Sequence, residues 1–325
     1  MENDQGIIFA AQINGDGSGK ILSGDEISNT IKAETPAWVH LDLTKPESRQ
    51  WIHQELKYLD HIIVDALLAD ETRPRILEFE EGVLMILRGV NLNENAKPED
   101  MISIRLWVDA HRIISIQRRP LKATQDIYQR LMEDKGPKDS GEFITMLSAR
   151  LFERMEPIFS QLNESLDDVE ENVMEEPDPA ERQPLNAIRK RAIILRRYIA
   201  PQRDVMAHLR TSEQSWLVHT HKRHLQESLD CVIRYIEDLD IIRERAQIIK
   251  DELANGLADR MNKNMYLLSI IAAIFLPLGF LTGLLGINVG GIPGSDNPFA
   301  FAIFCGILTI VIIMQVVIFK KMKWF

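Results

Sequence analysis

The run HTHKRH places His219, His221 and His224 within six residues, and neutral imidazole is a common metal ligand. On a helix His221 and His224 share a face, whereas His219 points away. The pair reads either as a chelating couple or as part of a solvated face. The two cysteines, Cys231 and Cys305, lie far apart and form no C-x-x-C, so neither a disulfide framework nor a cysteine zinc site is indicated. A second candidate region is FLTGLLGINVGGIPGSDNPFAF, Phe280 to Phe301. It is glycine-rich, holds Asn288 and Asn297, and has Asp296 as its one titratable residue and candidate carboxylate ligand.

Motifs for catalysis are missing. NGDGSGK, Asn14 to Lys20, lacks the glycine spacing and the Ser/Thr of a P-loop and reads as a hairpin turn between two strand-like pieces. Neither a nucleophile elbow nor H-E-x-x-H occurs, so an enzyme is not expected. A net charge of −10 argues against a nucleic-acid partner, which needs a basic face.

The elements around the glycine-rich stretch explain its lack of charge. Met265 to Leu285 and Phe299 to Phe319 are each 21 residues without a charge. About 20 helical residues cross a bilayer core. Neither run shows the polar face of a buried soluble helix. The connection between them has no Lys or Arg, whereas Arg260 and Lys263 precede the first run and Lys320, Lys321 and Lys323 follow the second. Positive flanks stay inside, which places both flanks in the cytoplasm and the connection outside. From Asn264 onward the net charge is +2, leaving −12 for the first 263 residues. That excess either concentrates cations by its field or serves solubility.

Residues 1–140 mix strand and helix patterns. GIIFAAQI, AWVHLDL, GVLMILRGVNL, MISIRLWVD and RIISIQR are apolar, β-branched runs bounded by turn residues. PESRQWIHQEL, DHIIVDALLA and LKATQDIYQRLMED read as helices. This is an α/β domain. From Gly141 the strand signal stops, and 141–264 reads as long helices. One runs from Glu142 to about Glu175 with Pro157 as a possible kink; a second runs from Ala180 with Pro184 in its opening turns and Pro201 in its body.

Between Gln202 and Leu276 there is no proline and one glycine, Gly256. Leu225, Leu229, Val232, Ile236, Leu239, Ile242, Ala246, Ile249, Leu253 and Leu257 recur at threes and fours. The pattern predicts one helix from about Glu213 through the first span to Leu285. Two spans cannot enclose a pore, so a hole through the bilayer would need several copies. In the first span Met265, Leu268, Ala272, Leu276, Gly279, Gly283 and Gly286 share a face that narrows from bulky to small. That face either lines a pore or lets helices pack closely in lipid. The second span, rich in Ile, Val and Phe, reads as lipid-facing, with Gln315 its only amide.

A long helix entering the first of two C-terminal spans, then Gly286-Ile287-Asn288, a short outer loop and a basic tail, resembles the CorA superfamily of divalent-cation transporters. The usual family tripeptide is Gly-Met-Asn, from which Ile287 departs. GINVGGIPG, ETRPRI (Glu71 to Ile76) and RRYIAPQRDV (Arg196 to Val205) are similar to the ZntB branch, the zinc transporters. The magnesium branch has an acidic residue after the loop proline, where this chain has Gly294.

The resemblance implies an α+β membrane protein assembled as a CorA-like homopentameric funnel in the bacterial inner membrane, both termini cytoplasmic. Its parts would be the α/β domain, the stalk of 141–264, a pore-lining span at 265–285, an outer loop at 286–298, a second span at 299–319 and a cytoplasmic tail at 320–325. It implies that Asn288 sits in a ring at the outer mouth, that Gly286 and Ile287 offer carbonyls there, and that Met265, Leu268, Ala272 and Leu276 line the inner pore. Neutral amide oxygens hold a hydrated divalent cation by its waters and still release it. Zinc as the carried ion, with coupling to protons, is implied by the resemblance alone, since neither span holds the His or carboxylate ligands that zinc prefers. A magnesium, cobalt or nickel channel is the alternative within the class. A membrane-anchored sensor or scaffold is the alternative outside it. No resident cofactor is expected.

Overall fold

A computed structural model describes residues 6–70, 72–287, 292, 294 and 297–321. Asn288, Asp296 and Lys323 therefore lie outside the described residues. The chain divides into two compact units, one reaching to Glu176 and including Ala180–Lys250, the other made of Pro177–Pro179 and the chain from Asp251 onward.

The first unit is built on a seven-stranded sheet. Its strands are β1 (Ile7–Ile13), β2 (Gly19–Ile21), β3 (Ala37–Asp42), β4 (Arg75–Glu78), β5 (Gly82–Gly89), β6 (Ile102–Asp109) and β7 (Arg112–Gln117). They are ordered β2-β1-β3-β7-β6-β5-β4. β3 and β7 pair in parallel at the centre, and the other neighbours are antiparallel. The expected hairpin turn joins β1 to β2. Asp16 accepts from the Ser18 N–H at 2.8 Å, and Gly15 and Gly17 take the positive φ that the tight reversal needs.

Alternation along β3 sends its side chains to both faces. Ala37, Val39 and Leu41 join a core with Ile27 and Ile31 of α1 (Asp25–Lys32), Trp51 and Ile52 of α2 (Pro46–Glu55), and Ile63, Val64 and Leu67 of α3 (His61–Leu68). Trp38 points the other way, its ring 4.8 Å from Phe143 of α5 (Ser140–Glu153), which packs with α4 (Lys122–Met132). Gly89 lets α5 approach β5 closely, since a Cβ there would meet Leu151 Cδ2 at 2.7 Å.

The sequence pattern marks β2 only as the strand-like piece after the hairpin turn, and it passes over α1 and β4. β2 has three residues, α1 has two buried apolar positions, and β4 is a mostly exposed edge strand. The helix expected from Glu142 to Glu175 is two helices, α5 and α6 (Glu156–Glu175). Pro157 has no N–H to bond the Glu153 carbonyl, and it falls in the first turn of α6, where proline is tolerated. α7 (Arg182–Thr211) carries Pro201 inside it.

The long helix, α8, runs from His219 to Leu285, 67 residues. At 1.5 Å per residue it is about 100 Å long. It begins six residues later than the predicted Glu213. The link after α7 is held as a turn instead: Ser212 Oγ donates to Glu78 Oε1 at 2.6 Å, Gln214 Nε2 donates to the Phe79 carbonyl at 2.6 Å, and the Leu217 N–H bonds the Gln214 carbonyl. The apolar stripe is buried from Leu225 to Leu253, Leu257 is half-buried, and exposure dominates beyond it.

In the second unit α8 continues to Leu285 and α9 spans Ala300–Lys321. Both are long and apolar enough to cross a membrane. Gly256 seats Pro177, whose Cγ a Cβ would meet at 2.5 Å. Asn297 starts α9: its Oδ1 accepts from the Phe299 N–H at 2.9 Å.

Candidate functional site

The apolar part of α8 has two unlike sides. Ile270 is buried, and Ala273, Ile274, Leu278 and Leu281 are half-buried. Their spacing of three and four defines one stripe. Gln315 of α9 donates from Nε2 to the Ala273 carbonyl at 3.2 Å, which identifies this as the side turned to α9. On α9, Phe304, Leu308, Val311, Gln315 and Phe319 form the matching covered stripe, while Ile303, Ile310, Ile313 and Val317 remain exposed.

Across the helix, Met265, Leu268 and Leu276 are 57%, 67% and 70% exposed, so α9 does not cover them. Gly279, Gly283 and Gly286 are exposed on the same side, and Ala272 is half-buried. The seven positions singled out by spacing thus share a face left open within one chain. Around Ala272, Leu276 and Gly279, flanked by Ile271, Phe275 and Phe280, lies an open apolar hollow of about 520 Å³.

The polar groups of this span are turned inward on the helix. Ser269 Oγ donates to the Met265 carbonyl at 2.8 Å, and Thr282 Oγ1 lies 3.0 Å from the Leu278 carbonyl and 3.1 Å from that of Gly279. The face offers no hydroxyl and no charge. An apolar face of this kind offers no ligand that could replace an ion's water. The Gly286 N–H bonds the Thr282 carbonyl at 2.9 Å and closes the last turn, after which Ile287 is exposed. The expected ligand oxygens of Asn288 and Asp296 belong to undescribed residues.

The two histidines expected to share a face, His221 and His224, differ in exposure. His221 is buried, with Nδ1 3.3 Å from the Trp216 carbonyl and Nε2 3.4 Å from Asp139 Oδ1. Gly141 makes room for its ring, since a Cβ there would lie 2.1 Å from Nδ1. His224 is exposed beside Glu227 at 3.5 Å. Both line a groove of about 800 Å³ with Glu142, Glu156 and Cys231, yet among the described residues no three His, Cys, Asp or Glu side chains stand close enough to hold an ion. Tyr235 in the same groove donates to Glu156 Oε2 at 2.6 Å, and burial holds its phenol well above the ordinary range. Some acids of the helical region already have partners: Arg245 pairs with Asp167 and Glu170, and Arg196 with Asp240.

Two features of the spans gain meaning only from this geometry. Pro277 lies inside α8, and Gln315 meets the turn before it.

Comparison with known proteins covers nearly the whole chain. A family model described as CorA-like Mg²⁺ transporter protein matches residues 33–321. Divalent cation transporter CmaX of Pseudomonas aeruginosa is 39% identical over 326 residues, 99% of this chain and 98% of that protein. Zinc transport protein ZntB of Pectobacterium atrosepticum is 36% identical over 319 residues, 98% of this chain and 96% of that one. The structure of the full-length CmaX protein superimposes with a TM-score of 0.86 at 38% identity, covering all of both chains.

Proposed function

The chain belongs to the CorA-like Mg²⁺ transporter family, and on that premise we propose that it carries divalent cations across the bacterial inner membrane, with zinc as the principal ion. One observation carries the reading. The open side of α8 is apolar and chargeless for the whole span, and α9 leaves it uncovered. In lipid a second apolar helix covers part of such a face, but two spans cannot surround a hole. Several copies, five by family resemblance, would turn these faces to a common axis and put Met265, Leu268, Ala272, Leu276, Gly279 and Gly283 on the wall. Asn288, with the carbonyls of Gly286 and Ile287, would form the outer mouth. Lys320, Lys321 and Lys323 would hold the C-terminus in the cytoplasm.

Zinc is favoured by the similarity to proteins named ZntB. The relative named only as a divalent cation transporter supports the second reading, a channel for magnesium, cobalt or nickel. Neither span holds a charged side chain among the described residues of 264–319. Coupling to protons would thus run through pore water, the outer loop or the cytoplasmic unit.

The test is flux of Zn²⁺ and Mg²⁺ into proteoliposomes with and without a pH gradient. Zinc uptake that a gradient changes supports a coupled zinc transporter. Magnesium flux indifferent to the gradient selects the channel. Flux of neither ion, from protein that is folded and oligomeric, removes the transport reading. A reporter fused after Phe325 and active only outside the cytoplasm would overturn the topology.

A further inference from the structure

Pro277 does two things to one atom. In an α-helix the N–H of residue 277 would donate to the carbonyl of Ala273, four residues earlier. Proline has no N–H, so that carbonyl loses its partner. The proline ring also crowds the same carbonyl and pushes it away from the axis. A carbonyl without a donor inside a bilayer is unfavourable, because no bulk water reaches it.

α9 supplies the donor. Gln315 is the only amide side chain of that helix, and its Nε2 lies 3.2 Å from Ala273 O. The orientation is fixed by chemistry: a carbonyl can meet only the NH₂ end of the amide. Gln315 sits on the covered stripe of α9, with Val311 and Phe319 one turn away on either side. The amide is therefore placed by packing and not by chance rotation. Its Oε1 is buried with no hydrogen-bond partner among the described residues, so the donated bond is the polar contact seen to hold this side chain.

We propose that Gln315 is a positioning residue for the open face of α8: it donates to the carbonyl that Pro277 leaves orphaned and so sets the bend of α8 beside Ala272, Leu276 and Gly279. The proposal rests on the reading of that face as the cation path. Proline sites are where helices bend. With the freed carbonyl tethered to α9, the bend takes one direction, and the walls above and below it hold a fixed alignment. Without the tether the carbonyl must find water, and the nearest water in a conducting assembly is in the pore.

A double-mutant cycle tests this. Gln315→Met keeps length and apolar bulk but has no donor. Pro277→Ala restores the backbone N–H, so Ala273 O no longer needs Gln315. In the wild-type background Gln315→Met should raise the unfolding constant in SDS-containing mixed micelles about threefold, the scale of one intramembrane hydrogen bond. It should also lower maximal cation flux into proteoliposomes severalfold with the half-saturating concentration unchanged. In the Pro277→Ala background both effects of Gln315→Met should vanish. Equal effects in the two backgrounds would overturn the proposal, because the amide would then serve some other partner. Stability coupling with no coupling in flux would reduce Gln315 to a structural role. Wild-type liposomes that pass neither Zn²⁺ nor Mg²⁺ while the stability coupling persists would remove the transport reading and leave the hydrogen bond in place.

Discussion

Gly279→Leu separates a pore wall from a lipid-facing surface. A Cβ added at Gly279 meets nothing within 4 Å in the chain, and the same holds at Gly306 of α9. Both glycines are exposed within a helix. Replacing either with leucine therefore adds four carbons into open space and strains nothing in the same chain. Each substitution should gain about 1 kcal/mol of helix propensity, the usual difference between Gly and a good helix former. Stability alone thus predicts two harmless or mildly stabilising variants. Function predicts a sharp asymmetry. Gly279 lies on the open face with Leu276 and Gly283, two turns outward of Ala272, so in a symmetric assembly every copy pushes an isobutyl group toward the axis at one level. Gly306 lies on the second span, where the added group meets lipid. Flux of Zn²⁺, read by an indicator trapped in proteoliposomes, should fall at least about tenfold for Gly279→Leu and stay near wild type for Gly306→Leu, with oligomer yield and melting temperature equal or higher in both. A tenfold fall corresponds to about 1.4 kcal/mol of added barrier, modest for forcing a hydrated cation past crowded methyl groups. Wild-type flux through Gly279→Leu, or an equal loss in Gly306→Leu, would refute the assignment of the open face to the cation path.

Other expectations follow from the same geometry. His40 is buried beside Ser115 Oγ at 2.7 Å, and burial, partly offset by the Gln117 side chain and the Ser115 backbone, lowers its pKa from 6.5 to about 4. The unfolded chain binds this proton first, so stability should hold above pH 6.5 and fall by about 3 kcal/mol on going down to pH 4. Urea titrations of wild type and His40→Gln at several pH values, followed by tryptophan fluorescence, check this; parallel pH profiles would contradict it. Ile249→Pro, at a buried position of α8, should cost about 3 kcal/mol or more and abolish assembly, and a variant that assembles and transports normally would deny that α8 acts as one rod. Asn288→Ala should lose most cation flux with expression and oligomer unchanged; wild-type rate and selectivity would make Asn288 a helix cap and place the mouth elsewhere.

What the sequence determined is what periodicity, length and charge can carry. Five of the seven strands announce themselves as apolar runs between turn residues, because each is buried on at least one face. The stripe from Leu225 to Leu253 and the absence of proline specify a long helix locally, residue by residue, so its continuity to Leu285 needed no tertiary information. The two spans are legible for the same reason: chargeless runs of that length answer to lipid. Tertiary structure decided what depends on a partner distant in sequence. The start of α8 moved to His219 because Glu78 and the Phe79 carbonyl, far back in the chain, bind the preceding link. The histidines of HTHKRH share a helix, yet the carbonyl of Trp216 and the carboxylate of Asp139 draw His221 inward while His224 stays in solvent. Spacing alone left the small-residue face of the first span divided between pore and packing. Only the folded chain reveals that α9 covers the opposite side and leaves this one open within a single chain. Pro277 and Gln315 are each plain in the sequence, 38 positions apart. Only the pairing of the two spans brings the donor of one to the carbonyl that the other exposes, since a hydrogen bond depends on distance in space and leaves no period in the chain.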